Sequence, residues 1–242
     1  MNKPTSPQAA YPVEDRNRIR RRHDRAAYDH ASVHAVLDAG MLAHVSYVID
    51  GQPYCTPTIH WREGTRLYWH GSSASRMLRA QAKGVPVCVS VAMLDGLVMA
   101  RTGMNHSANY RSAMCFGTAA LVEGVDEKTH ALLAMLERYF PGRNETLRGF
   151  SAQDIKATKV VGMEIETAVA KARADINHDE PEDLENPTWA GVIEVRQVIG
   201  ERTPCPHNTA RAIPSGLEAY APGRRLDEAM GELVRLYAAE PA

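Results

Sequence analysis

Between Met41 and Val122 the chain keeps interrupting short apolar runs with turn-forming pairs, and this rhythm constrains the fold more than any other feature. Met41 to Ile49 is apolar and partly alternating, Asp50-Gly51 is a hairpin turn signal, and Pro53 to Trp61 answers it. Asp and Gly tolerate the left-handed dihedrals that two-residue hairpins require. Glu63-Gly64 leads into Arg66 to His70. Val85 to Leu94 and Leu97 to Arg101 read as a hairpin around Asp95-Gly96, and Met114 to Val122 is a further strand. Meandering strands at this spacing point to an antiparallel sheet rather than to βαβ units.

Helical periods punctuate the strands. Ser32 reads as the N-cap of a short helix through Val33, Val36 and Leu37 that ends at Gly40. Ser75 to Lys83 fits a second helix, with Met77, Leu78 and Ala82 on one face. From Glu127 to Tyr139 the residues Leu132, Met135, Leu136 and Tyr139 recur at helical spacing until Pro141-Gly142 stops them. Lys159 to Ala168 and Trp189 to Ile199 read as the last two long strands. The loop between them carries Asp175, Asp179, Glu180, Glu182, Asp183 and Glu185. Paired carboxylates invite a metal, but Pro181 and Pro187 favour a solvated loop, and no metal is expected. The tail closes with an amphipathic helix on Leu226, Met230, Leu233, Val234 and Tyr237. Six or seven strands with helices inserted at the ends predict a mainly β, α+β barrel.

Composition bounds the rest. With 242 residues, 44% of them hydrophobic, the chain can bury a sizeable core. Phe contributes only 3 residues, so that core rests on Val, Leu, Ile, Ala and Met. A formal net charge of −1 gives no overall pull towards nucleic acid or an anionic membrane. No stretch approaches the ~18 apolar residues of a membrane helix, and Met1 to Pro12 has no apolar signal-peptide core. Cys55, Cys88, Cys115 and Cys205 are widely spaced and form no C-x-x-C pair. They are expected to be free, buried thiols in a cytoplasmic protein, without zinc. Residues 1–15 read as a disordered lead. Arg16 to Arg25 holds six arginines in ten residues. Such a run could dock on phosphates or nucleic acid, and reads more simply as a solvated helix or arm.

Common nucleotide and hydrolase signatures are missing: no G-x-G-x-x-G between strand and helix, no P-loop, no H-E-x-x-H and no G-x-S-x-G. Two segments can carry chemistry instead. Leu67 to Arg76 runs from a strand through Gly71 and small hydroxyl residues into a helix whose first turn holds Ser75 and Arg76. Free N–H groups, hydroxyls and a guanidinium could cradle a phosphate there, or form an ordinary cap. His106 to Ser112 interrupts two apolar runs with polar and aromatic residues. This suits either a flat, polar-edged ligand or a solvated loop.

The segments Leu67–Arg76, Asp95–Arg101, His106–Ser112 and Trp189–Val192, in that order, resemble the FMN-binding split-barrel proteins related to pyridoxamine 5′-phosphate oxidase. The branch they resemble includes the flavin-nucleotide-binding and nitroimidazole-resistance proteins. The resemblance spans residues 16–200 and implies a homodimer of six-stranded antiparallel split β-barrels with peripheral helices, with FMN in grooves at the dimer interface. Ser75 and Arg76 would hold the FMN phosphate. His70 and Gly71, with the strand through Thr58, Ile59 and His60, would line the ribityl chain and ring edge. Tyr110, Arg111 and Ser112 would complete the pocket, and Trp189 would reach in from the other subunit. Beyond residue 200 the family's Arg-Leu-x-Pro type ending is replaced by Pro204-Cys205-Pro206-His207 and the tail helix. This departure implies that the chain is not a pyridoxamine phosphate oxidase proper. Residues 201–242 form an extension expected to cap the barrel or the dimer.

The implied function is that of an FMN-dependent oxidoreductase on a small molecule. Arg111 would be the cation near the flavin, and His60, His70 and His106 are candidate proton donors, although a lone His is more often structural. The alternative is a non-catalytic carrier of flavin or haem, and the residues do not distinguish FMN from haem or a deazaflavin as ligand.

Overall fold

The computed structural model describes residues 9–210 and 212–239. Its centre is a closed ring of six strands, running β6-β7-β4-β3-β2-β5 and back to β6. They are β2 (Leu42–Ile49), β3 (Gln52–Glu63), β4 (Arg66–Ser72), β5 (Lys83–Met99), β6 (Ser107–Leu121) and β7 (Thr158–Glu164). Strand β8 (Thr167–Arg173) lies against β6 outside the ring. The two-residue β1 (Ala26–Ala27) pairs with β8, and β9 (Gly191–Glu194) extends the far end of β5. Every pairing is antiparallel, so the ring is the expected barrel.

The first hairpin forms as its turn chemistry requires. Asp50 and Gly51 both take positive φ, 50° and 79°, and the register runs unbroken from Ile49↔Gln52 to Leu42↔Ile59. Asp95-Gly96 behaves differently. Strand β5 continues through it, and the register shifts between Leu94 and Gly96, leaving Asp95 as the extra residue of a bulge. Gly96 is needed for close approach, because a Cβ there would lie 3.1 Å from Val192 Cγ1 and 3.2 Å from Ile193 O of β9. The true β5–β6 turn comes later, around Gly103–Asn105. His106 to Ser112 is consequently not a loop, since Ser107 to Ser112 belongs to β6 and is paired with β5. Lys159 to Ala168 is two strands, not one. Its turn carries no Gly or Pro and is held by Ile165 N donating to Thr65 O and Glu166 N to Phe116 O. Of Trp189 to Ile199, only Gly191–Glu194 joins the sheet.

Helix α1 (His30–Ala39) is capped by Asp29, which accepts from Ser32 N at 2.8 Å, so Ser32 is not its N-cap. Helix α2 (Arg76–Gln81) does start from Ser75 as N-cap. Helices α3 (Val125–Tyr139), α4 (Ala152–Ala157) and α5 (Leu226–Ala239) complete the set. Two cores result. One fills the ring and seats α1 through Val33 and Leu37, with Val45, Leu67, Trp69, Val89 and Met163 fully buried. The other joins Trp61 and Tyr68 to Leu132 and Tyr139 of α3 and to Met230 and Leu233 of α5. The tail is therefore built into the barrel's flank.

The N-terminal lead is also tied down from residue 10 onward. Ala10 bridges to Asp29, Tyr11 is 4% exposed with its hydroxyl 2.7 Å from His34 Nε2, and buried Asn17 donates to Pro12 O and Ala168 O. The first eight residues of that lead lie outside the described residues. Only Cys115 is a buried thiol. Cys88 is half-buried, and Cys55 and Cys205 are exposed. Among the described residues no helix is long and apolar enough to cross a membrane.

Candidate functional site

Strands β3 and β4 pair only near their shared turn, from Glu63↔Arg66 to His60↔Trp69. Beyond that point β3 continues to Gln52 beside β2 alone, while β4 continues to Ser72 beside β7 alone. The two strands part, leaving an open edge of β3 with unpaired backbone groups. Thr58, Ile59, His70 and Gly71 stand at the point of parting. Ser75 and Arg76 follow directly, with the Ser75 hydroxyl accepting from Leu78 N at 3.4 Å. The Arg76 guanidinium lies 4.5 Å from the centre of the Tyr54 ring, so the start of α2 reaches across to the far half of β3. Arg76 forms no ion pair among the described residues. Six of the expected ligand-binding residues are thus gathered by one opening.

Two details differ from the sequence reading. Helix α2 spans only six residues, so its macrodipole offers little to an anion, and the Ser75 hydroxyl is engaged as its N-cap. Thr58 and Ile59 also face opposite ways. Thr58 stands beside Ala43 on the barrel's inner side, while Ile59, 38% exposed, stands beside Leu42 on the outer one. Only the β3 edge between them can serve one ligand.

The three candidate histidines have three different fates. His60 is 2% exposed, its Nε2 lies 3.2 Å from Leu37 O, and Nδ1 has no partner. Burial lowers its pKa to about 4. A ring sealed in this way cannot exchange protons with a ligand, so His60 is not a proton donor. It is instead an acid-lability point. Its folded pKa lies below the unfolded value of 6.5, so stability is complete above about pH 6.5 and falls as pH drops towards 4. His34, also lowered to about 4, chiefly by burial, acts in the same direction. The expected loss from His60 is about 2 kcal/mol by pH 5. Urea unfolding at pH 7 and pH 5 measures it, and coincident midpoints would contradict it.

His106 is exposed and donates from Nδ1 to Thr102 O at 2.9 Å, which fastens the β5–β6 turn. It is not at the opening. His70 is half-buried at the opening, and burial lowers its pKa. Its Nδ1 is buried without a partner, as is Trp61 Nε1, and the two rings lie 5.8 Å apart. His70 also borders a cavity of about 370 Å³ walled by Leu132, Met135, Leu136, Leu147 and Phe150, with Arg148 in its lining.

Tyr110, Arg111 and Ser112 sit in β6 between β5 and β8. Arg111 grips Asp95 with two bonds, 2.9 and 2.7 Å, and Asp227 of α5 with a third at 2.8 Å. Asp227 is held down to about 2, first by its bond to Arg225. Arg111 is therefore a neutralised clamp between barrel and tail, not a free cation awaiting a flavin. The cavities it lines include no residue of the β3–β4 opening. Trp189 is 60% exposed, with its ring against Gly191, so it does not fill its own barrel's core. Tyr54 was missed from sequence. Its place on the inner face with Thr56 and Thr58 follows from period-2 counting along β3.

A six-stranded ring that opens between β3 and β4, beside a short helix led by Ser-Arg, defines the split-barrel class. The sequence profile of the pyridoxamine 5′-phosphate oxidase family matches residues 29–172, and the chain belongs to this family. Among solved structures it is similar to the flavocytochrome Anf3 from Azotobacter vinelandii, at 40% identity over 86% of this chain and 96% of that one, with a TM-score of 0.79. It is also similar to the FAD and haem binding protein from Mycobacterium smegmatis, at 32% identity over 84% and 98%, TM-score 0.78. A protein named for 5-nitroimidazole antibiotic resistance, from Bacteroides thetaiotaomicron, shares the fold at 21% identity over 60% and 85%, TM-score 0.50. Among curated proteins no relative matches the chain.

Proposed function

We propose that this protein is a flavin- and haem-binding redox protein that acts on a small molecule, with the flavin seated in the β3–β4 opening. The observation that carries this reading is the convergence of Thr58, Ile59, Gly71, Ser75 and Arg76 on one opening, with His70 turned to the neighbouring cavity and Arg76 left without an ion-pair partner among the described residues. FMN and FAD share the riboflavin phosphate that these residues suit. The relatives' names, a flavocytochrome and an FAD and haem binding protein, favour FAD as the whole molecule.

The residues around His70 fit a haem. A half-buried imidazole with no hydrogen-bond partner faces apolar walls, and Arg148 and Asp154 enter the lining as an ion pair at 2.8 Å. Bound flavin supplies two-electron chemistry and bound haem one-electron chemistry. The chain's part is to hold and shield them. Ser75 and Arg76 would bind the phosphate, and the β3 edge would orient the ring. Burial keeps His70 neutral, with a lone pair free for a metal. Leu132, Met135 and Phe150 would exclude water.

A homodimer belongs to the same reading. The outer face of β3, β2 and β5 presents Ile59, Leu42, Val48 and Leu94, each 38–56% exposed, and a second copy would cover it. Trp189 would then meet the partner's flavin, and sedimentation equilibrium measures the dimer directly. A carrier without a substrate of its own is the second reading. It rests on the sealed His60 and the neutralised Arg111, which leave His70 as the one expected proton donor at the opening.

The visible spectrum of the purified protein, with the flavin released and chromatographed against FMN and FAD, tests the proposal. A colourless protein that ignores added FMN, FAD and haem would reject it. Arg76→Ala should weaken FMN about tenfold to a hundredfold while hardly changing riboflavin, since a hydrogen bond to a charged group contributes roughly 1.5–3 kcal/mol. Fluorescence titration separates the two, and equal weakening would remove Arg76 from the site.

A further inference from the structure

A second polar cavity, of about 720 Å³, has no wall in the β3–β4 opening. Three segments build it: the arginine run through Arg21, Arg22 and Arg25, the β5–β6 turn from Met104 to Ser107, and the chain after β8 from Arg173 to His178. Arg22 adopts a left-handed backbone, φ 54° and ψ 51°, which a side-chain-bearing residue rarely takes. The turn there brings Arg21, Arg22 and Arg25 into the cavity's lining.

Beside Arg25, Arg173 is fixed before any ligand arrives. It is 7% exposed, donates to Asn109 Oδ1 at 2.8 Å and to Ile176 O at 3.4 Å, and approaches Asp175 Oδ2 to 3.3 Å without a hydrogen bond's alignment. The same carboxylate takes Arg25 Nη2 at 3.0 Å. The buried Nε atoms of both Arg25 and Arg173 have no hydrogen-bond partner. Arg22 pairs with Asp24, and Arg21 has no ion-pair partner among the described residues. Four guanidiniums thus meet two carboxylates, an excess of two positive charges. His106 and His178 also line the cavity, the latter 4.0 Å from Glu180.

Preorganised guanidinium forks with spare donors suit phosphate oxygens. The cavity is too large for a single phosphate, and its rim is apolar, with Met104 94% and Ile176 76% exposed. We propose that this cavity binds a nucleoside diphosphate, with the arginines on the diphosphate and Met104 and Ile176 against the base. The diphosphate would arrive on a free nucleotide, because FAD carries a single diphosphate and its flavin-side phosphate is the group placed on Ser75 and Arg76, outside this cavity.

Calorimetric titration of the full chain, prepared once with FMN and once with FAD, tests this. The probes are ADP and inorganic diphosphate. In the FMN-loaded protein ADP should bind, and Arg25→Gln should weaken it about tenfold to a hundredfold. Arg21→Gln, on the exposed arm where folding is not at stake, should weaken it too. Arg196→Gln, in an exposed pair with Glu194, should not. ADP should bind the FAD-loaded protein as well, and its loss there would show that the bound dinucleotide itself fills the cavity and would overturn the proposal. Flat titrations with both probes, unchanged affinity in both arginine variants, or binding of a single-stranded oligonucleotide without binding of ADP would overturn the proposal. ADP is read by heat and flavin by absorbance, so titration of the chain as purified stands even if the flavin reading fails.

Discussion

On the proposed flavin and haem reading, His70→Ala should yield a folded protein that keeps its flavin absorbance and loses the haem Soret band. No other histidine combines partial burial, a buried ring nitrogen without a partner and an apolar cavity beside it. Removing a group that merely supports a metal ligand already lowers affinity about 10–100-fold, so removing the ligand itself should cost more. His106→Ala, at the exposed β5–β6 turn, is the matched control and should leave the spectrum unchanged. A Soret band of wild-type intensity in His70→Ala would move the haem elsewhere. Loss of both chromophores together would show that the variant had disturbed the β3–β4 opening as a whole.

Trp69→Ala should be the most destabilising single change. Trp69 is fully buried inside the ring, and its Nε1 donates to Gln81 Oε1 at 2.8 Å. Emptying such a site costs about 3–5 kcal/mol. Gln81 is itself buried and its Nε2 already lacks a partner, so the variant would leave the whole amide unpaired. Against a net stability of about 5–15 kcal/mol, that is a large fraction. Trp189→Ala, at an indole 60% exposed, should change stability by no more than about 0.5 kcal/mol. Urea unfolding of both variants tests the contrast, and a loss below about 1 kcal/mol in Trp69→Ala would contradict the assigned packing.

The features legible in the sequence were local ones. Asp50-Gly51 carries its own positive-φ turn, and the helical repeat from Leu132 to Tyr139 carries its own buried face. Ser75 as a helix cap with Arg76 behind it was readable for the same reason, because a cap is decided within one turn of chain. Asp95-Gly96 looked like another hairpin and is a bulge. A two-residue turn and a bulge share the same residue preferences, and only the pairing of β5 with β6 and β9 decides between them.

Tertiary structure alone settled the state of the candidate chemical groups. His60 and His70 lie ten residues apart, yet one is sealed against Leu37 O and the other borders a cavity. Arg111 lost its expected role to Asp95 and to Asp227, the latter brought back by α5 from 116 residues away. The arginine run became a cavity wall because β8 delivered Arg173 and Asp175 to it. Side-chain identity and period are written along the chain and determine strands, turns and caps. Burial, charge pairing and the empty space beside a ring depend on which distant segment packs there, and no local pattern encodes that.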